Sequence, residues 1–207
     1  MSFRHCNFSK NLRNILCLLF AFWLPGCDKL TQKTKQQSSV EPPSTSVARG
    51  ITGLEVGMTP QQIGQHFTIK EDQDPVVMLL KKYRKPDEAE TISRRNEASK
   101  RLFFNISSDV SKLPDGVTSA DARATHNIVY QIGLHYNEAS VKKIGWAGVT
   151  YPYVARCGKP SEDTGSAYVW KDGRTRLEIV SSGSVINVFF TDEALEIELK
   201  KEERKNP

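Results

Sequence analysis

The sequence lacks the short motifs that mark many enzyme active sites. It contains no Gly-x-Ser-x-Gly, His-Glu-x-x-His, Cys-x-x-Cys, Gly-x-Gly-x-x-Gly or Gly-Lys-Ser/Thr segment. Its histidines are few and scattered, so we expect His66, His126 and His135 to be surface or boundary residues rather than metal ligands or bases. A nucleophile and base pair of Cys157 and His135 is the catalytic alternative. We therefore predict a protein that is not an enzyme and uses no cofactor, metal or small-molecule substrate.

No apolar run is long enough to span a bilayer, which needs about 20 residues. The longest is Ile15–Leu24, and it follows a basic segment that holds Arg4, Lys10 and Arg13 without an acidic residue. This arrangement is typical of a secretory signal peptide. A signal anchor that stays attached is the alternative.

The apolar run ends in Leu24-Pro25-Gly26-Cys27, which resembles the lipobox of bacterial lipoproteins. The resemblance implies that residues 1–26 are a signal peptide and that Cys27 is lipidated and becomes the new N-terminus. It also implies a bacterial membrane anchor that faces the periplasm. By resemblance to enterobacterial sorting rules, Asp28 favours the inner membrane, and the outer membrane remains the alternative.

Removal of the leader changes both the charge and the cysteine count. The chain has 29 basic and 24 acidic residues, and the leader takes three basic residues with it. The small remaining excess gives little reason to expect an anionic partner, and we predict no binding to nucleic acid. Cys6 and Cys17 also leave with the leader and Cys27 carries lipid, so no intramolecular disulfide can form. We expect the remaining Cys157 to be buried on the apolar side of a helix.

The segment after the lipobox has a different composition from the rest of the chain. Residues 27–49 are mainly Gln, Ser, Thr, Lys and Pro, with few apolar positions. Such a segment cannot bury enough surface to fold, so we predict a flexible tether. The folded part is expected to cover residues 50–207.

Periodicity and capping signals predict the helices and strands of this part. Thr59-Pro60 with Gln62 is typical of a capped helix start. The segment 87–101 fits either a helix or a hairpin, and 107–125 is interpreted as a turn or loop around Leu113-Pro114-Asp115-Gly116. The remaining patterns predict helices from residue 60, over 75–84, over 138–144, over 146–157 and from residue 193, and strands over 101–106, 128–136, 167–171, 175–180 and 185–191.

Short matches between the two halves favour an internal duplication. Arg101-Leu102-x-Phe104 parallels Arg176-Leu177-x-Ile179, and Tyr136-Asn137-Glu138-Ala139 parallels Thr191-Asp192-Glu193-Ala194. We therefore predict an α+β fold of two tandem ααβββ-like units with an antiparallel sheet and a C-terminal helix. The first unit covers 50–137, and the second, with the terminal helix, covers 138–207. Chance similarity is the alternative.

Two segments carry a family resemblance. Gly57-Met58-Thr59-Pro60-Gln61-Gln62-Ile63 resembles the helix start of the small OmlA/SmpA-type outer-membrane-assembly lipoproteins, and Gly158-Lys159-Pro160 with the following aromatic strands resembles their second half. The motifs lie much farther apart here than in that family. The spacing resembles a tandem-repeat β-lactamase-inhibitor fold, which implies a sheet that presents one face to another protein.

Aromatic residues on the strands indicate where such a face would lie. Side chains alternate between the two faces of a sheet, so the pairs Phe103-Phe104 and Phe189-Phe190 must each leave one ring on the face away from the helices. An exposed aromatic patch is a common anchor for a protein partner. The candidate anchors are Phe104, Tyr168, Trp170 and Phe190.

A basic cluster provides a second candidate surface. Lys81, Lys82 and Arg84 surround Tyr83 near a helix end, and basic groups beside an aromatic ring bind phosphate-rich headgroups. The alternative is a solvated helix end that is favourable to the helix dipole. Together these observations predict a lipid-anchored lipoprotein that binds another cell-envelope protein through its sheet face. An inhibitor or immunity-type protein that blocks a secreted enzyme is the alternative function.

Replacement of Cys27 tests the lipid anchor. Because the thiol is the acylated group, Cys27→Ser should abolish incorporation of labelled palmitate and prevent cleavage before residue 27. Metabolic acyl labelling, gel mobility and membrane fractionation measure the result. If the variant stays on the membrane with the same gel mobility as the parent, and the parent carries no label, the anchor is an uncleaved apolar segment.

Overall fold

The computed structural model describes residues 46–51, 53–107 and 112–205. Within these ranges it has a large antiparallel sheet, helices on both sides of the sheet and a C-terminal helix, which confirms the predicted α+β class. The elements are β1 (Gly50–Ile51), β2 (Leu54–Glu55), α1 (Pro60–Gly64), β3 (Thr68–Asp72), α2 (Pro75–Lys82), α3 (Pro86–Ala98), β4 (Arg101–Ser107), β5 (Ser119–Thr125), β6 (Ile128–Tyr136), α4 (Glu138–Cys157), β7 (Glu162–Asp163), β8 (Ala167–Lys171), β9 (Thr175–Ser182), β10 (Val185–Asp192) and α5 (Glu193–Lys205).

Eight strands form the main sheet in the order β3-β4-β5-β6-β10-β9-β8-β7. Each half of the chain contributes four strands that follow one another in sequence, and the two sets meet where β6 pairs with β10. The central pairing is antiparallel and places Leu134 opposite Val188. In each half, the last strand in sequence lies at the centre of the sheet and the first lies at an edge.

The internal duplication itself remains a prediction. One of its sequence matches fits this strand order, because Tyr136 and Asp192 end the two central strands and a helix follows each of them. The other match does not, because Arg101 begins β4, third from the centre of the sheet, whereas Arg176 lies in β9, second from the centre.

Local sequence signals place most of the helices. The Thr59 side chain accepts a hydrogen bond from the Gln62 N–H and completes the expected capping box. Asp74 caps α2 in a similar way, and Pro86 occupies the first turn of α3, so the ambiguous segment is a helix. Gly145 has a φ of 69° inside α4, which divides that helix at the point where two helices are predicted.

Three strands of the main sheet, and the short pair β1 and β2, are not predicted from the sequence. Strand β5 lies inside the segment interpreted as a loop, since its alternating alanines have weak strand propensity. Strand β3 carries mostly charged residues on the sheet edge, and β7 has only two residues. With these strands the two units are not simple ααβββ repeats.

One face of the sheet packs against α1, α4 and the N-terminal segment, and we call it the core face. It supplies most of the buried apolar side chains, and the Tyr153 ring of α4 packs at a tilt against Phe190, with the ring centres 6.1 Å apart. Cys157 is buried here, as predicted. The Trp170 indole donates to the Gly158 carbonyl at 2.9 Å, which holds the end of α4 on the sheet. The strand residues of this face are Phe104, Ile106, Ala120, Ala122, Ala124, Val129, Ile132, Leu134, Tyr136, Trp170, Leu177, Ile179, Ile186, Val188 and Phe190.

The N-terminal boundary of the folded part lies earlier than predicted. Val47 and Ala48 are buried in the core, and the Val47 N–H donates to Asp172 at 2.9 Å. Arg49 donates to Asp192 at 2.9 Å and to the Val56 carbonyl at 2.9 Å. The predicted tether over 27–49 is therefore wrong at its C-terminal end. The rest of the tether and the signal peptide lie outside the described residues.

Loss of the Arg49 guanidinium should destabilise the fold. Asp192 is almost fully buried and also accepts from the Leu195 N–H, and with Arg49 removed its nearest basic group is Arg174, at 3.9 Å. We expect Arg49→Ala to lower the free energy of unfolding by about 2 kcal/mol, which is less than for a fully buried pair because Arg49 is partly exposed. Urea denaturation followed by circular dichroism measures the change.

The matched control is Arg94→Ala, which breaks an exposed pair with Glu90 on one helix. Such a pair contributes less than about 0.5 kcal/mol. Equal effects of the two variants would contradict a structural role for Arg49.

Candidate functional site

The second face of the sheet is only partly covered, and we call it the open face. Its side chains alternate with those of the core face along each strand. Helices α2 and α3 lie beside this face at the β3–β4 side, and α5 crosses it near β6 and β10. Between them lies an uncovered strip of sheet. Its main side chains are Asn105, Asp121, Arg123, His135, Asn187 and Phe189, and Phe103 lies at its edge with only 8% of its surface exposed.

Ion pairs hold α5 on the open face. Arg176 contacts Glu196 at 3.2 Å, and Arg101 contacts Glu203 at 3.1 Å. Leu199 of α5 is buried, and it does not belong to the apolar core on the other face of the sheet. The Arg101 guanidinium also lies 5.8 Å from the centre of the Tyr130 ring. The terminal helix thus covers one end of the open face and leaves the middle accessible.

A groove of about 560 Å³ separates α2 from the open face. Its wall is formed by Met78 and Leu79 of α2, and Phe103 supplies an aromatic ring on the sheet side. The polar groups at the groove include Lys82 on the helix side and Arg123 on the sheet side. The groove therefore combines apolar walls with two cations and two carboxylates, Asp72 and Asp121. The other lining residues are Gln73, Pro75, Phe104, Asn105 and Ala122.

Arg123 is the most distinctive group in the groove. Its guanidinium carbon lies 5.8 Å from the centre of the Phe103 ring, directly across from it on the neighbouring strand. Its Nε is buried and has no hydrogen-bond partner. The Nε atoms of Arg101 and Arg176 are also buried without a partner, but these two side chains form ion pairs. The Arg123 guanidinium forms no hydrogen bond or ion pair with a described residue, so its outer nitrogens are free to bind a ligand in the groove.

A polar cluster of Asp121, His135 and Asn187 continues the open face beyond the groove. His135 Nε2 hydrogen-bonds Asp121, and Nδ1 lies 2.7 Å from the Asn187 side-chain oxygen. The ring also packs edge to face on Phe189 at 6.1 Å. Gly133 makes room for this arrangement, because a Cβ there would lie 2.8 Å from an Asp121 carboxylate oxygen.

The neighbours of His135 favour its charged form. The hydrogen bond with Asp121 raises the pKa of His135 above its usual 6.5, and the bond with Asn187 and the Asp121 charge act in the same direction. Burial and the nearby Arg123 oppose this increase in the pKa. A doubly protonated ring donates to both acceptors at once, so the cluster is built for an imidazolium.

This geometry is poorly arranged for nucleophilic catalysis. Both His135 nitrogens are engaged by Asp121 and Asn187, which leaves neither nitrogen to activate a nucleophile. Cys157 lies in α4 on the core face, whereas His135 lies on the open face, so the sheet separates them. Within the described ranges, no three His, Cys, Asp or Glu side chains are grouped to hold a metal ion.

Three of the four aromatic anchors chosen from the sequence are wrong. Phe104, Trp170 and Phe190 belong to the core face and are buried. Tyr168 is half-buried against Trp146 of α4 at 5.2 Å, on that same face. Each Phe pair does divide between the two faces, but the rings on the open face are Phe103 and Phe189.

The basic residues chosen from the sequence lie together at the end of α2. Lys81, Lys82 and Arg84 are all exposed, and Lys82 lines the groove. The predicted lipidation residue, Cys27, lies outside the described residues.

Residues of the open face that sequence reasoning missed lie mainly on β5. In this strand Ala120, Ala122 and Ala124 alternate with Asp121 and Arg123. A period of two in small and polar residues is the signal that could have revealed the strand. Without β5, nothing in the sequence connects Asp121 with His135.

Comparisons with known proteins do not assign the chain to a family. No family model matches it, and neither a curated protein nor a solved structure shows a significant match. Across the described residues, no helix combines the length and apolar character required to cross a membrane.

The pKa of His135 should depend on Asp121. Because Asp121 is the main cause of the increase, Asp121→Asn should move the pKa of His135 downward, and NMR titration of the ring protons measures it. The folded state binds this proton more tightly than the unfolded state. The stabilisation that comes from binding this proton is therefore complete below about pH 6.5. It is lost as the pH rises through the pKa of His135 in the folded state.

At pH 5.5 we expect Asp121→Asn to lower the free energy of unfolding by about 1 kcal/mol, with a smaller difference at pH 9. Asp163→Asn on the edge strand β7 is the control, and it should leave the His135 titration unchanged. An unchanged His135 titration in Asp121→Asn would contradict the assigned hydrogen bond.

Proposed function

We propose that the protein is a lipid-anchored periplasmic lipoprotein that catalyses no reaction and binds another cell-envelope protein through its open face. The lipobox-like segment that ends in Cys27 supports the anchor. The observation that supports docking is the uncovered strip between α2 and α5, where apolar, aromatic and charged side chains share one surface. The proposed lipid anchor is compatible with either the inner or the outer membrane.

The composition of this strip favours a protein surface as the ligand. Interfaces combine aromatic and methionine contacts with arginine and a polar rim. Met78 and Phe189 provide the accessible apolar contacts, and Arg123 provides a guanidinium that forms no hydrogen bond with a described residue. Beside them, the Asp121–His135–Asn187 cluster supplies hydrogen-bond donors and acceptors.

The engaged histidine supports the non-catalytic part of the proposal. His135 is the titratable group nearest the middle of the open face, and its two nitrogens are already used within the fold. His135 is therefore better placed to orient the polar groups of a partner than to transfer a proton. We expect the partner to contact the outer edge of this cluster, where Asp121 and His135 remain about one-third exposed.

Photo-crosslinking in the native membrane tests the docking face. A photoreactive phenylalanine analogue at Met78 or Phe189 should give one and the same discrete adduct, identified by mass spectrometry. The matched control is Tyr151, which is 73% exposed but lies on α4. Adducts of equal yield from position 151, or none from positions 78 and 189, would overturn the proposal.

Affinity for the identified protein is then measured with purified components. Arg123→Gln removes the donor at the edge of the groove and should weaken binding about tenfold or more, as expected for a central interface arginine. Arg156→Gln on α4 is the charge-matched control. A tight, soluble one-to-one complex with a secreted enzyme would instead identify an inhibitor.

A further inference from the structure

Helix α2 carries an exposed apolar stripe, and its middle residue, Leu79, also lines the groove beside the open face. Val76, Leu79 and Tyr83 are 49%, 52% and 66% exposed. Their spacing of three and four residues places them on one side of the helix. Val77 is buried on another side. We call Val76, Leu79 and Tyr83 the outer stripe.

The orientation of the outer stripe is fixed by contacts between α2 and α3. Asp74 caps α2 through the Val76 N–H and accepts from the Asn96 side chain of α3 at 2.9 Å, in a buried bond. Ala89 of α3 is also buried, and α2 packs mainly against this helix. Helix α2 therefore cannot rotate to bury the stripe without breaking a buried hydrogen bond.

Basic side chains border the stripe at the C-terminal end of α2. Lys81, Lys82 and Arg84 are exposed, and none of them forms an ion pair with a described residue. Lys85 is the exception, because it contacts Glu88 at 2.8 Å. Arg84 has a φ of 58° and turns the chain away from the helix direction directly after Tyr83. Three unpaired cations thus lie within three residues of an exposed aromatic ring.

We propose that the outer stripe and these cations dock on an anionic phospholipid surface. A helix with apolar side chains on one side and Lys or Arg beside them is suited to the boundary between headgroups and acyl chains. Each basic residue near an anionic surface adds attraction that salt screens. Tyr83 suits the interface because its ring is apolar and its hydroxyl is polar.

The chain outside the structure favours a membrane as the occupant. This step relies on the proposed anchor at Cys27. Residues 28–45 separate that cysteine from the first described residue, and even a fully extended segment of this length spans at most about 60 Å. The domain would then stay within reach of the bilayer at all times. Docking through α2 turns this proximity into a defined orientation. The helix side of the groove then lies next to the bilayer, while the sheet side and the region around His135 and Phe189 stay available to a protein partner.

The test uses the complete acylated protein reconstituted in vesicles. An environment-sensitive fluorophore is attached to Val76→Cys or Tyr83→Cys, and Tyr151→Cys is the exposed control on α4. Cys157 is buried and should not compete for the label. In vesicles that contain phosphatidylglycerol, emission from positions 76 and 83 should shift to the blue, while position 151 should report water. In vesicles of phosphatidylcholine alone, the shift should be much smaller.

Charge removal separates headgroup binding from a purely apolar contact. Lys81→Gln with Arg84→Gln should lower the ratio of docked to undocked protein about fivefold for each charge removed. Lys142→Gln with Lys143→Gln on α4 removes the same charge and should leave the shift unchanged. High salt should also reduce the shift without releasing the acylated protein.

Several outcomes would overturn this assignment. They are water-like emission at positions 76 and 83, equal shifts with both lipids, or a shift that appears only after a purified protein partner is added. A missing acyl chain is detected separately, by mass spectrometry of the N-terminal peptide, so failure of the anchor is distinguishable from failure of α2 docking.

Discussion

Backbone hydrogen bonds between β6 and β10 join the first half of the sheet to the second. Six residue pairs, from Tyr136 with Ile186 to Gln131 with Thr191, set the register of the two central strands. A slip of β10 by one residue would move Val188 and Phe190 from the core to the open face and bury polar groups in their place. The core face, the open face and the position of His135 beside Asn187 all depend on this pairing.

The same register brings together side chains that are distant in sequence. His135 meets Asn187 directly across the central pair and reaches Asp121 over Gly133 on the other side. The three residues lie on three adjacent strands, so their contact requires the whole middle of the sheet. The hydrogen bonds of this cluster therefore also stabilise the pairing of the three strands.

Sequence patterns predict elements well where apolar residues dominate a strand or a cap marks a helix. Strands β6 and β10 and the helix start at Thr59 are examples. Strand β5 is missed because its core side chains are alanines. Adjacent aromatics such as Phe103 and Phe104 must divide between two faces, but only the position of the covering helices decides which ring is buried. Long-range contacts such as Arg49 with Asp192 leave no local signal.

The N-terminal segment is attached to the interior of the sheet rather than to an edge strand. Val47 bonds Asp172 in the turn between β8 and β9, and Arg49 contacts Thr175 and Asp192 on two inner strands. Any mechanical load that enters through residue 46 is therefore carried by several bonds at once and passes to strands with neighbours on both sides. Force applied at residue 46 would therefore load the contacts with Asp172, Thr175 and Asp192 before it reached the edge strands β3 and β7.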